Sequence, residues 1–388
     1  MKKYLTLAAS FIIMLCIGSA YAWSIIASEL IENFGFSGSQ SQIIFGTLTG
    51  VFAVTMIFVG KLGEKIKYKY IGYIAGLLFC LGFVTASYSQ GNFIFILMGI
   101  GVLAGMATAF GYWVALTAPV QWFPKKKGLI TGVAAAGFGL GAVLMSILAE
   151  KILNDGNNVL ELLKIIGIAY GLLILVFSNL IYQAISASEK TEAPARVSDF
   201  INSIIFKKLF IGLFLGCFGG LLIIGSLKVL GAQHAISNHN LLVGVGLFSI
   251  ANFFGRVFWG FVSDHIGANL SIFFALLFQG AAIISLNLFP LSDNSYLVIA
   301  VLIGFGFGGN LVLFAKETAQ EFGVQKMGTI YPYVFIGYGI AGITGPIAGG
   351  YLYDLSGTFY YAVILASLMS LAGSLLFLNQ YRTLKRNV

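Results

Sequence analysis

The stretch QIIFGTLTGVFAVTMIFVGKLGEKIKYK, residues 42–69, decides the fold class of this chain. Its first part, residues 42–60, is free of charged side chains. About 20 apolar residues in a helix cross the ~30 Å hydrocarbon core of a bilayer. The last part holds four lysines and one acid, Glu64. Since cytoplasmic loops retain positive charge, this pattern predicts a transmembrane helix that ends on the cytoplasmic side.

The composition of the whole chain agrees with a membrane protein. Of its 388 residues, 59% are hydrophobic and only 9% are charged, whereas an average soluble domain is about 25% charged. This excludes a soluble enzyme, a disordered chain or a coiled coil as the main body. The net charge of +8 is spread between apolar runs, so a basic patch for nucleic acid is excluded. We expect the lipid bilayer to be the partner of most of the surface.

Eleven further apolar runs resemble residues 42–62, and together they predict an all-α polytopic membrane protein with twelve transmembrane helices. The most polar stretch, residues 186–206, divides the runs six and six. We therefore predict an N-terminal six-helix bundle (1–185), a cytoplasmic linker (186–206) and a C-terminal six-helix bundle (207–388). The twelve runs are 4–30, 42–62, 70–88, 92–118, 128–149, 160–185, 207–230, 241–262, 269–289, 295–315, 328–352 and 359–380.

The distribution of positive charge predicts the orientation. With the N-terminus inside, 18 of the 22 Lys and Arg residues fall in cytoplasmic segments. Both termini are then cytoplasmic, in the cell inner (plasma) membrane. The first run contains Ala20-Tyr21-Ala22 after a basic start, as a cleaved signal does, but it stays apolar beyond Ala22, so we expect a retained helix.

The two halves repeat at an offset of 200 residues. Residues 60–64 (GKLGE) correspond to 260–264 (GFVSD), and Gly128-Leu-Ile corresponds to Gly328-Thr-Ile. Glycines at 137 and 337 also correspond. Three matches at one offset indicate a duplication, and repeats of this kind are common in transporters.

The loop after each second helix holds an acid, Glu64 or Asp264. A carboxylate at this place can bind the N-terminus of a neighbouring helix and hold one conformation. We therefore predict a conformational latch; the alternative is that Lys65 and its neighbours only fix the orientation. The residues assigned to the latch are Gly60, Glu64, Lys65, Gly260 and Asp264.

The loop VGKLGEKIKYK resembles the major facilitator signature G-x-L-x-D-R-x-G-R-K/R, with Glu64 in place of Asp and Lys67 in place of the second Gly. The segments AYAWSIIASELIENFGFS (20–37) and YWVALTAPVQWFPKKKGLITGVAAAGFGLGA (112–142) resemble the oxalate/formate antiporter family, which is related to monocarboxylate transporters. The resemblance covers most of the chain. It implies the major facilitator fold of two pseudo-symmetric six-helix bundles and transport of small organic anions by alternating access.

Arg256 lies well inside the apolar run LLVGVGLFSIANFFGRVFWGFV (241–262), six residues from its cytoplasmic end. A charge at that depth is costly and tends to mark a ligand or a transport path, and a guanidinium matches a carboxylate in geometry. The alternative is that Arg256 reaches the cytoplasmic end or pairs with Asp264. Asn252 lies four residues earlier, on the same helix face. Related proton-coupled carriers have an acid there, so the resemblance argues against proton symport.

Four aromatic residues complete the predicted substrate site, because the resemblance places their helices along the path: Tyr21, Trp23, Tyr112 and Tyr338. An alternative for such residues is a position at the membrane interface. Family members that take a dicarboxylate carry a second cation in the eleventh helix, where this chain reads YPYVFIGYGIAG (331–342). This favours a monoanion. Lys228 and Lys316, each near a helix end, are expected to snorkel.

The sequence thus predicts a secondary transporter, not an enzyme, that moves a monocarboxylate such as formate or lactate, by exchange. A proton-coupled symporter of a monocarboxylate or another small solute is the alternative, and a non-transporting membrane sensor is a distant one. We expect a monomer without cofactor or nucleic acid. Cys16, Cys80 and Cys217 stand in separate runs without a Cys/His pattern, so neither a disulfide framework nor a metal site is expected.

Overall fold

A computed structural model describes residues 1–36, 38–184, 197–234 and 236–378. Most of the predicted linker (186–206) and the last ten residues lie outside this description. All regular secondary structure in the described part is helical. Twelve helical stretches there are long and apolar enough to cross a membrane, which confirms the predicted number of spans.

The α-helices are numbered in chain order and follow the predicted runs closely. They are α1 (Lys2–Ile17), α2 (Trp23–Phe34), α3 (Gly38–Gly63), α4 (Tyr68–Ser87), α5 (Phe93–Ile96), α6 (Gly105–Val120), α7 (Lys127–Asn154), α8 (Val159–Ser178), α9 (Val197–Phe200), α10 (Ile204–Gln233), α11 (Asn238–Ile266), α12 (Ala268–Leu288), α13 (Asp293–Glu321), α14 (Val324–Ser356) and α15 (Tyr360–Leu378).

Two spans depart from α-helical geometry. The first predicted run, 4–30, is interrupted by a 3-10 helix at Gly18–Ala22. At that point the Ser19 hydroxyl donates to the carbonyl of Cys16 at 2.8 Å, a local bond that competes with regular helix. The fourth span contains a π-helical segment, Leu97–Ala104, between α5 and α6.

Polar residues in the loops fix where the spans begin. Asn158 accepts the N–H groups of Leu160 and Glu161 at 2.9 and 3.0 Å, and Glu161 accepts the N–H of Asn158 in return. This capping box starts α8. The sixth predicted run extends to 185, but the helix ends at Ser178, so this boundary is wrong by several residues.

The chain divides into two compact units. The first consists of Met1–Pro124 and Ala134–Pro194, and the second of Lys125–Val133 and Ala195–Val388. The first residues of α7 thus belong with the C-terminal helices. Within the second unit, α11 packs most extensively against α13 and α10 against α14. The predicted boundaries of the two bundles remain predictions.

Candidate functional site

Arg256 is buried in the C-terminal unit, with 1% of its surface exposed. It lies on α11 and its Nε donates to Oδ1 of Asn252 at 2.8 Å. The one-turn spacing of the two residues makes this contact possible. This burial leaves the substrate-binding role of Arg256 a prediction and gives no support to the alternative that Arg256 reaches the cytoplasmic end of the helix.

Asn252 contributes a second donor beside Arg256. The residue is 2% exposed, and its Nδ2 atom has no hydrogen-bond partner among the described residues. Burying an amide donor without a partner costs free energy. An acceptor oxygen bound here would remove that cost.

Two glycines from neighbouring helices fix the backbone at these residues. A Cβ atom at Gly308 of α13 would lie 2.6 Å from the carbonyl oxygen of Asn252, and one at Gly132 of α7 would lie 2.5 Å from that of Arg256. Real Cβ atoms do not approach so closely. The absence of side chains at both positions therefore lets two helices press against the turn of α11 that carries the predicted substrate residues.

Asp264, near the C-terminal end of α11, caps the beginning of α7. Its Oδ1 and Oδ2 accept the backbone N–H groups of Gly128 and Leu129 at 3.0 and 2.9 Å. The first N–H groups of a helix lack partners within the helix, and a negative charge there is favoured by the helix dipole. Gly128 and Gly260 make this approach possible, since a Cβ atom on either would lie 2.4 Å from the other's carbonyl oxygen.

Lys316 of α13 neutralises Asp264. Its Nζ lies 2.6 Å from Oδ1 of Asp264 and donates to the Ser263 hydroxyl at 3.0 Å. Lys316 is 3% exposed, so the expectation that it snorkels to the surface is wrong. Gly267, with φ +86°, is the single residue between the end of α11 and the beginning of α12. It follows Asp264 of this ion pair by three residues.

The latch residues of the first half lie at the end of α3. Gly60 is buried within the helix, whereas Glu64 and Lys65 are exposed in the turn that follows. Gly63, beside them, lies against the ring of Trp113. The exposure of Glu64 contrasts with Asp264, whose side chain is only 14% exposed.

The predicted aromatic residues belong to separate units. In the N-terminal unit, Tyr112 is fully buried, with its ring 5.3 Å from that of Phe52 and 5.8 Å from that of Phe138. Trp23 is 5% exposed at the beginning of α2. In the C-terminal unit, Tyr338 stacks on Phe335 at 4.7 Å. The side chain of Tyr21 lies outside the described residues.

The family model of the Major Facilitator Superfamily matches residues 7–334. The chain belongs to this superfamily. It is therefore a multi-pass membrane transporter with the superfamily's twelve-helix fold, as the sequence predicts. Transporters of this superfamily carry small-molecule substrates.

Two relatives align with this chain over most of its length and over most of their own. The chain is 29% identical over 351 residues to the uncharacterized MFS-type transporter YhjX of Escherichia coli, covering 88% of this chain and 86% of YhjX. It is 28% identical over 360 residues to the oxalate:formate antiporter of Oxalobacter formigenes, covering 88% and 82%.

Solved structures resemble the fold at low sequence identity. The fucose:proton symporter FucP of Escherichia coli, crystallised in an outward conformation, gives a TM-score of 0.74 at 14% identity and covers 98% of this chain and 99% of FucP. The proton:xylose symporter XylE gives 0.72 at 12% identity, with 96% and 94% covered. These similarities show the fold alone.

One polar cluster of this transporter was not anticipated from the sequence. Gln279 of α12 is fully buried and donates to the carbonyl of Gly216 at 2.8 Å and to the Ser370 hydroxyl at 2.9 Å. Its Oε1 accepts from Nδ2 of Asn310 at 2.9 Å. The signal was present, since Gln279 and Asn310 are amides in the middle parts of two apolar runs, 269–289 and 295–315. Their pairing joins four helices of the C-terminal unit.

Proposed function

We propose that this transporter moves a small monocarboxylate, such as formate or lactate, by alternating access and exchange. The observation that carries the proposal is the buried pair of Arg256 and Asn252. The bond from Nε to Asn252 orients the guanidinium, and Nδ2 of Asn252 is a further donor, without a partner in the described part of the chain. A positive charge and an amide donor side by side suit the two oxygens of a carboxylate.

The charges support a monoanion over a dicarboxylate. The buried cations of the described residues are Arg256 and Lys316, and the charge of Lys316 is matched by Asp264. Lys316 therefore already has a carboxylate partner within the protein, and we do not assign it to a second carboxylate of the substrate. The named activity of the relative from Oxalobacter formigenes includes formate and supports exchange as the mode.

The remaining predicted residues keep the roles that the sequence suggests for them. Tyr112, Tyr338, Tyr21 and Trp23 are assigned to closure of the substrate cavity. Gly260 and Asp264, with Gly60, Glu64 and Lys65 as their repeat counterparts, are assigned to a latch that stabilises one conformation. The cap on α7 supports this role, because breaking it leaves two helix N–H groups and Lys316 without their acceptor. We assign the monomeric carrier to the cell inner (plasma) membrane, with both termini cytoplasmic.

Exchange in proteoliposomes tests the proposal. Vesicles loaded with unlabelled formate, lactate or oxalate are mixed with the labelled anion, and uptake is compared for the wild type and Arg256→Gln. We expect exchange of monocarboxylates by the wild type and none by the variant. Lys228→Gln removes an exposed cation from α10 and serves as the matched control. Undiminished exchange by Arg256→Gln would overturn the assignment.

A second candidate, proton-coupled symport, is favoured by Glu317. This carboxylate is 5% exposed near the end of α13, and its Oε1 accepts from Nδ2 of Asn269 at 3.4 Å. A buried acid can carry a proton through a conformational change. Substrate-induced alkalinisation outside the vesicles, lost in Glu317→Gln, would favour symport over exchange.

A further inference from the structure

A small cavity lies inside the N-terminal unit beside the break in the first span. Apolar side chains form most of its wall, among them Ile26, Leu48, Phe79 and Phe83. Its volume, counted for the centre of a water-sized sphere, is about 10 Å³. A single buried water needs ~10–15 Å³ in this measure, so the cavity has the size of one water molecule.

Trp23 is one of the residues that line this cavity. The residue is 5% exposed, and its Nε1 is buried without a hydrogen-bond partner among the described residues. An indole N–H can only donate. An acceptor oxygen in the cavity would therefore give the indole N–H of Trp23 a hydrogen-bond partner.

Ser19 and Thr108 are the residues with side-chain hydroxyl groups among those that line the same cavity. Both side chains are buried, and both hydroxyl groups already donate a hydrogen bond within the protein. The Ser19 hydroxyl donates to the carbonyl of Cys16 at 2.8 Å, and that of Thr108 donates to the carbonyl of Ala104 at 2.7 Å. Each oxygen can still accept a further hydrogen bond.

We infer that this cavity is a binding site for one water molecule, which accepts from Trp23 and donates to Ser19 and Thr108. The donors and acceptors balance, because water then makes three hydrogen bonds, the usual number for a buried water. Substrate carboxylate oxygen has the same acceptor chemistry, but the volume fits the smaller ligand. The site shares no residue with the pair of Arg256 and Asn252, although the proposed function also assigns Trp23 to closure of the substrate cavity.

The water site joins the two irregular spans. Ser19 belongs to the 3-10 segment of the first span, and Ile100 and Ala104 of the cavity wall belong to the π-helical segment of the fourth. Thr108 follows on α6. A water held here ties the beginning of α2 to α6 at the point where the first span loses its regular backbone bonds.

Nuclear magnetic resonance of the full-length protein, labelled with 15N-tryptophan in lipid nanodiscs, tests the inference. The four tryptophans give four indole N–H signals, and Trp23→Phe identifies the one from Trp23. We expect a cross-relaxation peak between this proton and a long-lived water. Trp122 and Trp259 serve as internal references, because they donate to the carbonyls of Tyr182 and Phe305.

Substitution of the acceptors identifies the ligands of the water. Thr108→Val keeps the side-chain shape and removes the acceptor, so it should shift the Trp23 signal and weaken its water peak. Thr108→Ser, which keeps the hydroxyl, should leave the Trp23 signal and its water peak unchanged. Ser19→Ala is a second variant that removes an acceptor. A Trp23 signal without a water peak, or one insensitive to both acceptor losses, overturns the inference. Displacement of the water peak by added formate would identify a carboxylate as the occupant instead.

Discussion

Nζ of Lys316 lies 2.6 Å from Oδ1 of Asp264, although the two residues are 52 positions apart in the chain. The same carboxylate binds the first N–H groups of α7. One acidic side chain thus joins α7, α11 and α13, and the cation beside it offsets the cost of burying that charge.

Asp264→Asn keeps the size of the side chain and removes its charge. Lys316 is then a buried cation without its counter-ion, and removal of one partner of a buried ion pair typically costs about 3–5 kcal/mol. We expect a marked fall in the thermal unfolding temperature in detergent. The double variant Asp264→Asn, Lys316→Met should lose less stability than the two single losses combined. Additive losses would mean that the two charges do not interact.

Asn252→Ala removes the bond to Nε of Arg256 and the donor Nδ2. Hydrogen bonds to charged groups contribute about 1.5–3 kcal/mol, so we expect the KM for monocarboxylate exchange to rise about 10- to 100-fold. Asn252→Asp is nearly isosteric but places a carboxylate beside Arg256. It should impair uptake more than Asn252→Ala does, because the new charge competes with the substrate. The reverse order would contradict an anion site at this pair.

Gly132→Ala adds a methyl group against the backbone of α11, 2.5 Å from the Arg256 carbonyl oxygen. Overpacking of this kind costs about 1–3 kcal/mol, so we expect lower stability and weaker exchange. Gly246→Ala on α11 is the matched control, because nothing lies within 4 Å of the added atom. It should be neutral or stabilise the helix by up to ~1 kcal/mol. Equal thermal shifts in both variants would refute the close approach at Gly132.

Gln279→Leu removes the centre of the buried amide cluster. Leaving buried partners unsatisfied costs about 1–3 kcal/mol, and Asn310, Ser370 and the Gly216 carbonyl all lose a bond. We expect a lower unfolding temperature without a change in the KM of the remaining exchange. Adding Asn310→Leu should recover part of the loss, since it removes one unsatisfied group.

The twelve spans were predictable because lipid imposes a strong rule on the sequence: each crossing needs a long apolar run. The sequence also indicated that Asp264 can bind the N-terminus of a neighbouring helix, from its place beside the end of a predicted span and from the repeat at Glu64; the latch itself stays a prediction. Arg256 was a candidate because a charge well inside an apolar run such as residues 241–262 is costly in lipid; its role as a substrate residue stays a prediction. In these cases the prediction rests on the free-energy cost of placing polar or charged groups in lipid, and that cost can be read from one continuous stretch of sequence.

The partners of these residues were not predictable in the same way. Whether Lys316 extends to the surface or pairs with Asp264 depends on how α11 and α13 pack. The same holds for Gln279 and Asn310, which are separated by 31 positions. The 3-10 and π segments were missed because apolar content does not distinguish them from α-helix.

The grouping of Lys125–Val133 with the C-terminal unit has a consequence for biosynthesis. Gly128 meets its acceptor on Asp264 only after 136 further positions have been made. The start of α7 therefore leaves the ribosome long before its cap exists, and its first turn is completed when α11 inserts. Closure of so long a segment is a late and slow event in folding. A nascent chain that stops short of α11 therefore leaves the N–H groups of Gly128 and Leu129 without this acceptor.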